Sequence, residues 1–482
     1  MIIVTNSQAS KLYIEHILLE VFTKEFLESN KHSTLEVRVS KDNTYVKVVT
    51  SFKFNTSECL EEISNHPSLK IAETCAIGKT IIEIGLRFGF ECPPYGVLTG
   101  VRPIKIARSV FSEDIKSLRD SLLNKYLINS EKSELLYHCS CFDSIVTPSF
   151  SLGDVCIYIS IPFCPSRCNY CSFVSYGIEK KHDLIKPYLD ILKQEMSEVK
   201  KVIGEHNLNI RAIYVGGGTP GILNVYETEM LLENISDCFL NEKVDEFTYE
   251  IGRPDTVYKD KLLLLKNYFV NRVCINTQST NDAVLKSIGR KHTSEDYFRA
   301  VNTAMTVGFE SINTDLIAGL ADEPFESFKR SVTDVISTGI DNITIHALSI
   351  KKSSEIKRVD ATDEKCIDSF IDFSKKHCIS NGFLPYYLYR QKYALGNHES
   401  VGYCKNGKYS LYNIAMMNEC SDVIGIGAGA TSRICSSKEN TKHKHFENYK
   451  YPEEYIKDNT KMFSHIQGIA NAVKLKHIGE NH

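Results

Sequence analysis

Neither sign of charge prevails in this chain, where 57 Lys and Arg stand against 60 Asp and Glu for a formal net charge of -3 over 482 residues. That balance leaves no footprint for nucleic acid or an anionic membrane surface as a partner. No apolar run approaches the ~20 residues needed to span a bilayer. The opening MIIVTNSQAS also lacks a basic leader followed by a long apolar core, so a cytoplasmic chain with no membrane span is expected. The sixteen cysteines do not show the short, paired spacing of a secreted disulfide scaffold. Most are expected to be reduced core thiols, Cys156, Cys238 and Cys274 among them. Neither an internal repeat nor a low-complexity tract is visible. At ~150 residues per domain the length allows about three domains.

What the chain does contain is concentrated in VCIYISIPFCPSRCNYCSFVSY, residues 155–176. Val155 to Ile161 is short and rich in β-formers, so it reads as a strand stopped by Pro162. Cys164, Cys168 and Cys171 then fall on a loop in a C-x3-C-x2-C frame. Three thiolates suit iron-sulfur or zinc, whereas a closed structural site normally takes four ligands. A cluster held by three cysteines keeps one iron open to a substrate; zinc completed by a distant residue is the alternative.

From residue 151 to about 350, β-rich runs alternate with amphipathic helical stretches, the pattern of a parallel sheet or barrel. Strands are expected near 155–161, 211–216, 246–252, 271–277, 309–317 and 341–347, which suits an incomplete six-stranded barrel with its site at the C-terminal strand ends. Those ends carry Gly216, Gly217, Gly218, Thr219 and Pro220, then Glu250, Gln278 and Asp315, with Arg290 following. Glycines admit a ligand close to the backbone, and acids, an amide and a cation can bind a zwitterion and a diol. A tight turn, or polar groups satisfied within the core, would use the same residues.

Before the barrel, residues 1–150 read as a small α+β domain: helical spacing over Lys11 to Leu27, a strand from Thr44 to Phe54, and a helix over Ile71 to Phe88. Arg102, Lys105 and Arg108 share one basic helix face after Pro103. Cys139 and Cys141 are too close in sequence for an easy disulfide. After the barrel, residues 361–482 open on a helix from Asp363 to Asn381 and read as a separate C-terminal α+β domain. The GxGxG of VIGIGAGATS, residues 423–432, lies outside any βαβ unit with a downstream acid, so it is not evidence for a dinucleotide fold.

The cysteine frame, with Tyr170 before its last cysteine, resembles the radical S-adenosylmethionine (SAM) superfamily, and YVGGGTP resembles that superfamily's glycine motif. YISIPFCPSRCNYCSF, EIGRPD, INTQS, IGRKH and NTDLIAGL, in this order, narrow the resemblance to the oxygen-independent coproporphyrinogen III oxidase family. LTGVRPIKI, PYYLYRQKYALGNHESVGY and SLYNIAMMNE resemble its HemZ-type branch. The resemblance implies an α/β fold: a partial (β/α)6 radical SAM barrel at 151–360 between the N-terminal and C-terminal α+β domains. It further implies a 4Fe-4S cluster on Cys164, Cys168 and Cys171, with Tyr158 beside cluster and SAM. Gly217, Gly218 and Thr219 would hold the SAM amino group, Glu250, Gln278, Arg290 and Asp315 its carboxylate and ribose, and Ala347, next to His346, would flank adenine.

The implied reaction decarboxylates two propionates of coproporphyrinogen III to vinyl groups, fed by a low-potential donor such as flavodoxin or ferredoxin. Arg253, Arg390, Lys392 and the Arg102 to Arg108 face are candidates for holding propionates. Established oxidases of the family carry a further cysteine two residues after the third ligand, where this chain has Ser172 and Phe173. The haem-chaperone branch also lacks that cysteine, but its H-N-x-x-Y-W segment is absent here. A haem-binding carrier and a haem-degrading methyltransferase of the same superfamily stand as alternatives to the oxidase.

Overall fold

The computed structural model describes residues 1–42, 45–53, 57–64, 68–100, 102–173, 175–178, 181–240, 244–320, 323–351, 354–355, 364–435 and 443–479. The chain divides into two compact units, Met1–Cys141 and Phe142–His482. In the first unit, β1 (Ile2–Thr5), β2 (Thr34–Lys41), β3 (Val46–Lys53) and β4 (Ser57–Ser64) form a sheet in that order, with β1 parallel to β2 and the rest antiparallel. The expected strand is β3; its expected end residues, Thr44 and Phe54, lie outside the described residues.

The single helix expected over Lys11 to Leu27 is two helices, α1 (Lys11–Val21) and α2 (Lys24–Ser29). The backbone turns extended at Phe22 and Thr23, and the Thr23 side chain accepts from the Phe26 amide at 3.3 Å to start α2. A capping threonine between two apolar repeats ends one helix and begins another. The helix α3 (Leu69–Arg87) follows, then α4 (Ile104–Ser109), which carries Lys105 and Arg108, and α5 (Ile115–Tyr126). The helix α6 (Ser130–Ser149) runs through the division between the units.

The second unit alternates strand and helix: β5 (Asp154–Ile161), α7 (Ile185–Glu205), β8 (Asn209–Gly217), α8 (Val225–Phe239), β9 (Glu246–Gly252), α9 (Lys259–Asn267) and β10 (Arg272–Ile275). After α10 (Asp282–Ser287) and α11 (Ser294–Val307) come β11 (Ser311–Ala318), α12 (Phe325–Ser337) and β12 (Asn342–Ala347). A two-residue ladder, β6 (Phe163–Cys164) against β7 (Tyr176–Gly177), folds the cysteine loop back on itself. The six barrel strands β5, β8, β9, β10, β11 and β12 pair in parallel in chain order. This is the α/β order of an incomplete barrel, and every expected strand of 151–350 is present. Capping boxes at Asn224 and Glu227, and at Thr293 and Asp296, fix where α8 and α11 begin.

The C-terminal residues do not form the separate domain expected of them. After α13 (Glu364–Ser380), β13 (Leu384–Arg390) and β14 (Glu399–Cys404) add antiparallel strands beyond β12. After α14 (Leu411–Asn418), β15 (Asp422–Ile426) pairs in parallel with β5, and β16 (Thr431–Cys435) and β17 (His443–Glu447) follow it outward. The helices α15 (Pro452–Lys457) and α16 (Thr460–Gly479) complete the unit. The result is one eleven-stranded sheet, order β13-β14-β12-β11-β10-β9-β8-β5-β15-β16-β17. Left alone, the six barrel strands would present β5 and β12 as bare hydrogen-bonding edges, and the C-terminal strands cover both. The expected boundary at 360 and 361, with Asp363, lies outside the described residues.

None of the sixteen cysteines is joined in a disulfide. Of the three expected core thiols, Cys156 and Cys274 are buried and Cys238 is half-buried. Among the described residues no helix is long and apolar enough to cross a membrane.

Candidate active site

The cysteine loop leaves β5 at Pro162 and lies across the C-terminal ends of the barrel strands. Cys164 and Cys168 are buried and Cys171 is half-buried. The Cys171 amide donates to the Cys168 carbonyl at 3.1 Å, closing the turn between the last two thiols. Burial raises the Cys164 and Cys171 thiols above their ordinary value, so loading a metal there releases protons. A cubane takes its thiolates at separate irons. Among the described residues no three His, Cys, Asp or Glu side chains are grouped to hold a single metal ion.

The glycines beside the loop have a steric reason. A Cβ on Gly218 would meet the Phe163 carbonyl oxygen at 2.6 Å and the Cys164 sulfur at 2.9 Å. Gly217 has φ +116°, and its Cβ would stand 2.9 Å from the Ile161 nitrogen. The amides of Gly218 and Thr219 donate to Ile161 and Phe163 carbonyls at 2.9 and 2.7 Å, and the buried Thr219 hydroxyl donates to Cys164 Sγ at 3.4 Å. The end of β8 and the cysteine loop are therefore one packed object.

Across the strand ends runs a belt of half-buried side chains, one to a strand: Tyr158, Tyr214, Glu250, Asp315 and His346. The Tyr158 and Tyr214 rings stack at 6.2 Å, and Tyr412 stacks on Tyr214 at 4.7 Å. The Tyr214 hydroxyl donates to Glu250 Oε2 at 3.4 Å, and Asn276 donates to Oε1 at 3.3 Å. Burial, reinforced by the Asp315 charge, pushes Glu250 up to about 8. Burial also raises Asp315, but the hydrogen bond and charge of His346, with the Asn313 amide at 2.8 Å, outweigh it and hold that carboxyl below its ordinary value. His346 Nε2 stands 3.5 Å from Asp315 Oδ2, while its Nδ1 meets the Tyr389 hydroxyl at 3.1 Å. Two facing carboxyls are thus driven apart in acidity by their surroundings, a pattern that concentrates at functional sites.

The other sequence candidates fall around this belt. Gln278 sits in left-handed backbone at φ 74°, its amide donating to the Asp315 carbonyl at 3.0 Å, and its buried Oε1 has no partner among the described residues. Arg290 donates to the Asn276 carbonyl at 2.5 Å and to the Tyr170 hydroxyl at 3.0 Å, which ties it to the cysteine loop, and its buried Nε is unpartnered among the described residues. Ala347 is buried at the end of β12, in register with Ala318. Arg253, a candidate for holding propionates, is only 2% exposed: it forks onto Asp255 at 3.1 and 3.2 Å and donates to Ser166 Oγ at 2.8 Å. Its guanidinium is committed to anchoring the loop. Arg390 is buried in β13, and Lys392 is exposed. Sequence reasoning passed over Tyr214, Tyr412 and Asn276; Tyr214 stands in register with Tyr158 on the adjacent strand, and a tyrosine repeated at the same height in successive strands is the signal that marks it.

The comparisons follow this geometry. The radical SAM superfamily matches residues 158–335. The oxygen-independent coproporphyrinogen-III oxidase-like protein HemZ of Bacillus subtilis is 36% identical over 374 residues, 75% of this chain and 74% of that protein. The chain belongs to this family of radical SAM proteins. The haem chaperone HemW of Bacillus subtilis is 32% identical over 195 residues, 40% of this chain and 50% of the chaperone. Coproporphyrinogen III oxidase HemN from Escherichia coli, a radical SAM enzyme, shares the fold with a TM-score of 0.53 and 21% identity, covering 65% of this chain and 71% of that one. Membership of a radical SAM family implies a 4Fe-4S cluster and SAM. The donor set suits both: three thiols beside a glycine too crowded for a Cβ, and, for a zwitterion with a diol, two carboxyls with the unpartnered atoms of Gln278 and Arg290.

Proposed function

We propose that this chain carries out the oxygen-independent oxidative decarboxylation of coproporphyrinogen III to protoporphyrinogen IX, in the cytoplasm, with electrons supplied by a flavodoxin or ferredoxin. Cys164, Cys168 and Cys171 hold a 4Fe-4S cluster. Tyr158, Gly217, Gly218, Thr219, Glu250, Gln278, Arg290, Asp315 and Ala347 form the SAM site. The observation that most supports this reading is the three-thiol loop packed through Thr219 and Gly218 against a belt of phenolic and acidic groups. When bound, the cluster and SAM would supply a carbon radical able to take a hydrogen atom from the propionate β-carbon; the substrate radical would then lose carbon dioxide and pass one electron to a one-electron acceptor, leaving a vinyl group.

The chain's own residues do the positioning. Thr219 directs a hydroxyl at Cys164, Arg253 pins Ser166, and Arg290 pins Tyr170, so each part of the loop is fixed to a different strand end. Glu250 holds a proton at neutral pH and Asp315 does not. One can donate to the ribose hydroxyls while the other accepts from them.

A haem-carrier reading is favoured by the similarity to the chaperone HemW and by Ser172 and Phe173 in place of a further cysteine. Anaerobic incubation of cluster-reconstituted protein with reductant, SAM and coproporphyrinogen III separates the two. Mass spectrometry follows 5'-deoxyadenosine and tetrapyrroles, with the triple variant Cys164→Ala, Cys168→Ala, Cys171→Ala as control. Loss of two carbon dioxide units in wild type alone is expected. Deoxyadenosine no higher than in the control, together with tight haem binding, would replace the oxidase with the carrier.

A further inference from the structure

The belt opens on one side into a cleft of about 350 Å³ whose lining includes Tyr158, Gly217, Phe173, Glu447, Lys450 and Lys461. Tyr158 and Gly217 belong to the candidate active site, so a molecule in the cleft lies against that site. Phe173, two residues beyond Cys171, forms a wall of the cleft and is 71% exposed, so its ring face is open to a flat ligand. The lysines are exposed and come from the far side, off β17 and α16. Lys450 lies over the Tyr451 ring at 5.3 Å and Lys461 over the Tyr449 ring at 5.4 Å. Among the described residues neither ammonium is paired with a carboxylate. Against the one carboxylate lining the cleft, Glu447, two ammonium groups leave it cationic.

We propose that this cleft is a carboxylate anchor for the tetrapyrrole: Phe173 and Tyr158 face the edge of the macrocycle, and Lys450 and Lys461 hold a propionate that does not react. The proposal rests on the proposed function and names the part of that site which recognises substrate. The reacting carboxylate departs as carbon dioxide, so it cannot serve as the handle that keeps the substrate in register, and a second carboxylate must. The volume lies at the small end of the range for ligand pockets, about 300–1,000 Å³. That suits a propionate-bearing edge rather than a whole macrocycle. An anion in this position could also be the SAM carboxylate, and the test separates the two sources.

Cluster-reconstituted protein is titrated anaerobically with coproporphyrin III, and separately with its tetramethyl ester, by porphyrin fluorescence. The double variant Lys450→Gln, Lys461→Gln is expected to bind the acid about tenfold more weakly than wild type, as for two lost exposed ion pairs. The ester should bind both proteins alike, and Lys450→Arg, Lys461→Arg should keep the wild-type affinity for the acid. Undiminished acid binding in the double variant overturns the anchor, as does a loss shared equally by acid and ester. Weakened SAM binding with porphyrin affinity intact overturns it in favour of the SAM carboxylate. A wild type that binds neither porphyrin overturns the tetrapyrrole reading along with the anchor. Normal decarboxylation and porphyrin binding by the double variant overturn the anchor alone.

Discussion

Glu250 is where single-residue chemistry has the clearest consequence. Its carboxyl is raised from 4.5 to about 8 in the folded chain, by burial first and the neighbouring Asp315 charge second. Between those values the folded state holds a proton that the unfolded state has released, so stability falls as pH rises through this window. The penalty is absent below about 4.5 and complete above about 8. Glu250→Gln keeps the shape and never ionises. We expect its Tm, measured without SAM, to decline less than that of wild type between pH 5 and pH 8, with the larger gain at pH 8. Parallel profiles would show that the carboxyl is not the titrating group. Sequence exposed Glu250 and Asp315 because acids inside β-rich runs stand out. It hid Tyr214 and Tyr412 because a tyrosine in such a run is also an ordinary core residue, and it misassigned Arg253 because a buried guanidinium and a substrate-binding one read alike.

At the scale of elements, the barrel strands could be read from their β-branched runs, whereas β15 could not. VIGIG looks like a glycine turn, and the pairing that makes it a strand is with β5, far away in sequence. Glu195, in the middle of α7 and wholly buried, secures that pairing from the helix side. Its carboxylate accepts from the Gly427 amide at 2.7 Å, from Asn448 at 2.7 Å and from the Tyr455 hydroxyl at 2.6 Å. One side chain on a barrel helix therefore satisfies donors from three parts of the C-terminal segment. Nothing in KQEMSEVK distinguishes this acid from the surface acids around it, since only tertiary packing supplies its partners. Glu195→Ala strands three buried donors, each costing about 1–3 kcal/mol if unmet. We expect the urea midpoint to drop by an amount corresponding to at least about 3 kcal/mol, and Glu195→Gln to fall between. A midpoint unchanged by alanine would mean that the segment is held without this acid.

On the scale of the whole chain, length suggested three domains and the structure has two units, because the C-terminal quarter is spent on covering sheet edges. The physical cause is the open barrel itself. Six parallel strands that do not close leave β5 and β12 with unpaired backbone groups along apolar runs, and β5 reads DVCIYISI. Such an edge is a template for aggregation unless another strand occupies it. If β15 is that strand, a chain ending at residue 405 should lose more than a domain. We expect it to be recovered as aggregate or as a species that binds a hydrophobic dye, without the cooperative thermal transition of the full chain, even though every cluster cysteine and all six barrel strands are retained. A soluble, cooperatively melting product would mean that the barrel, with β13 and β14 still on one edge, stands without β15, β16 and β17 on the other.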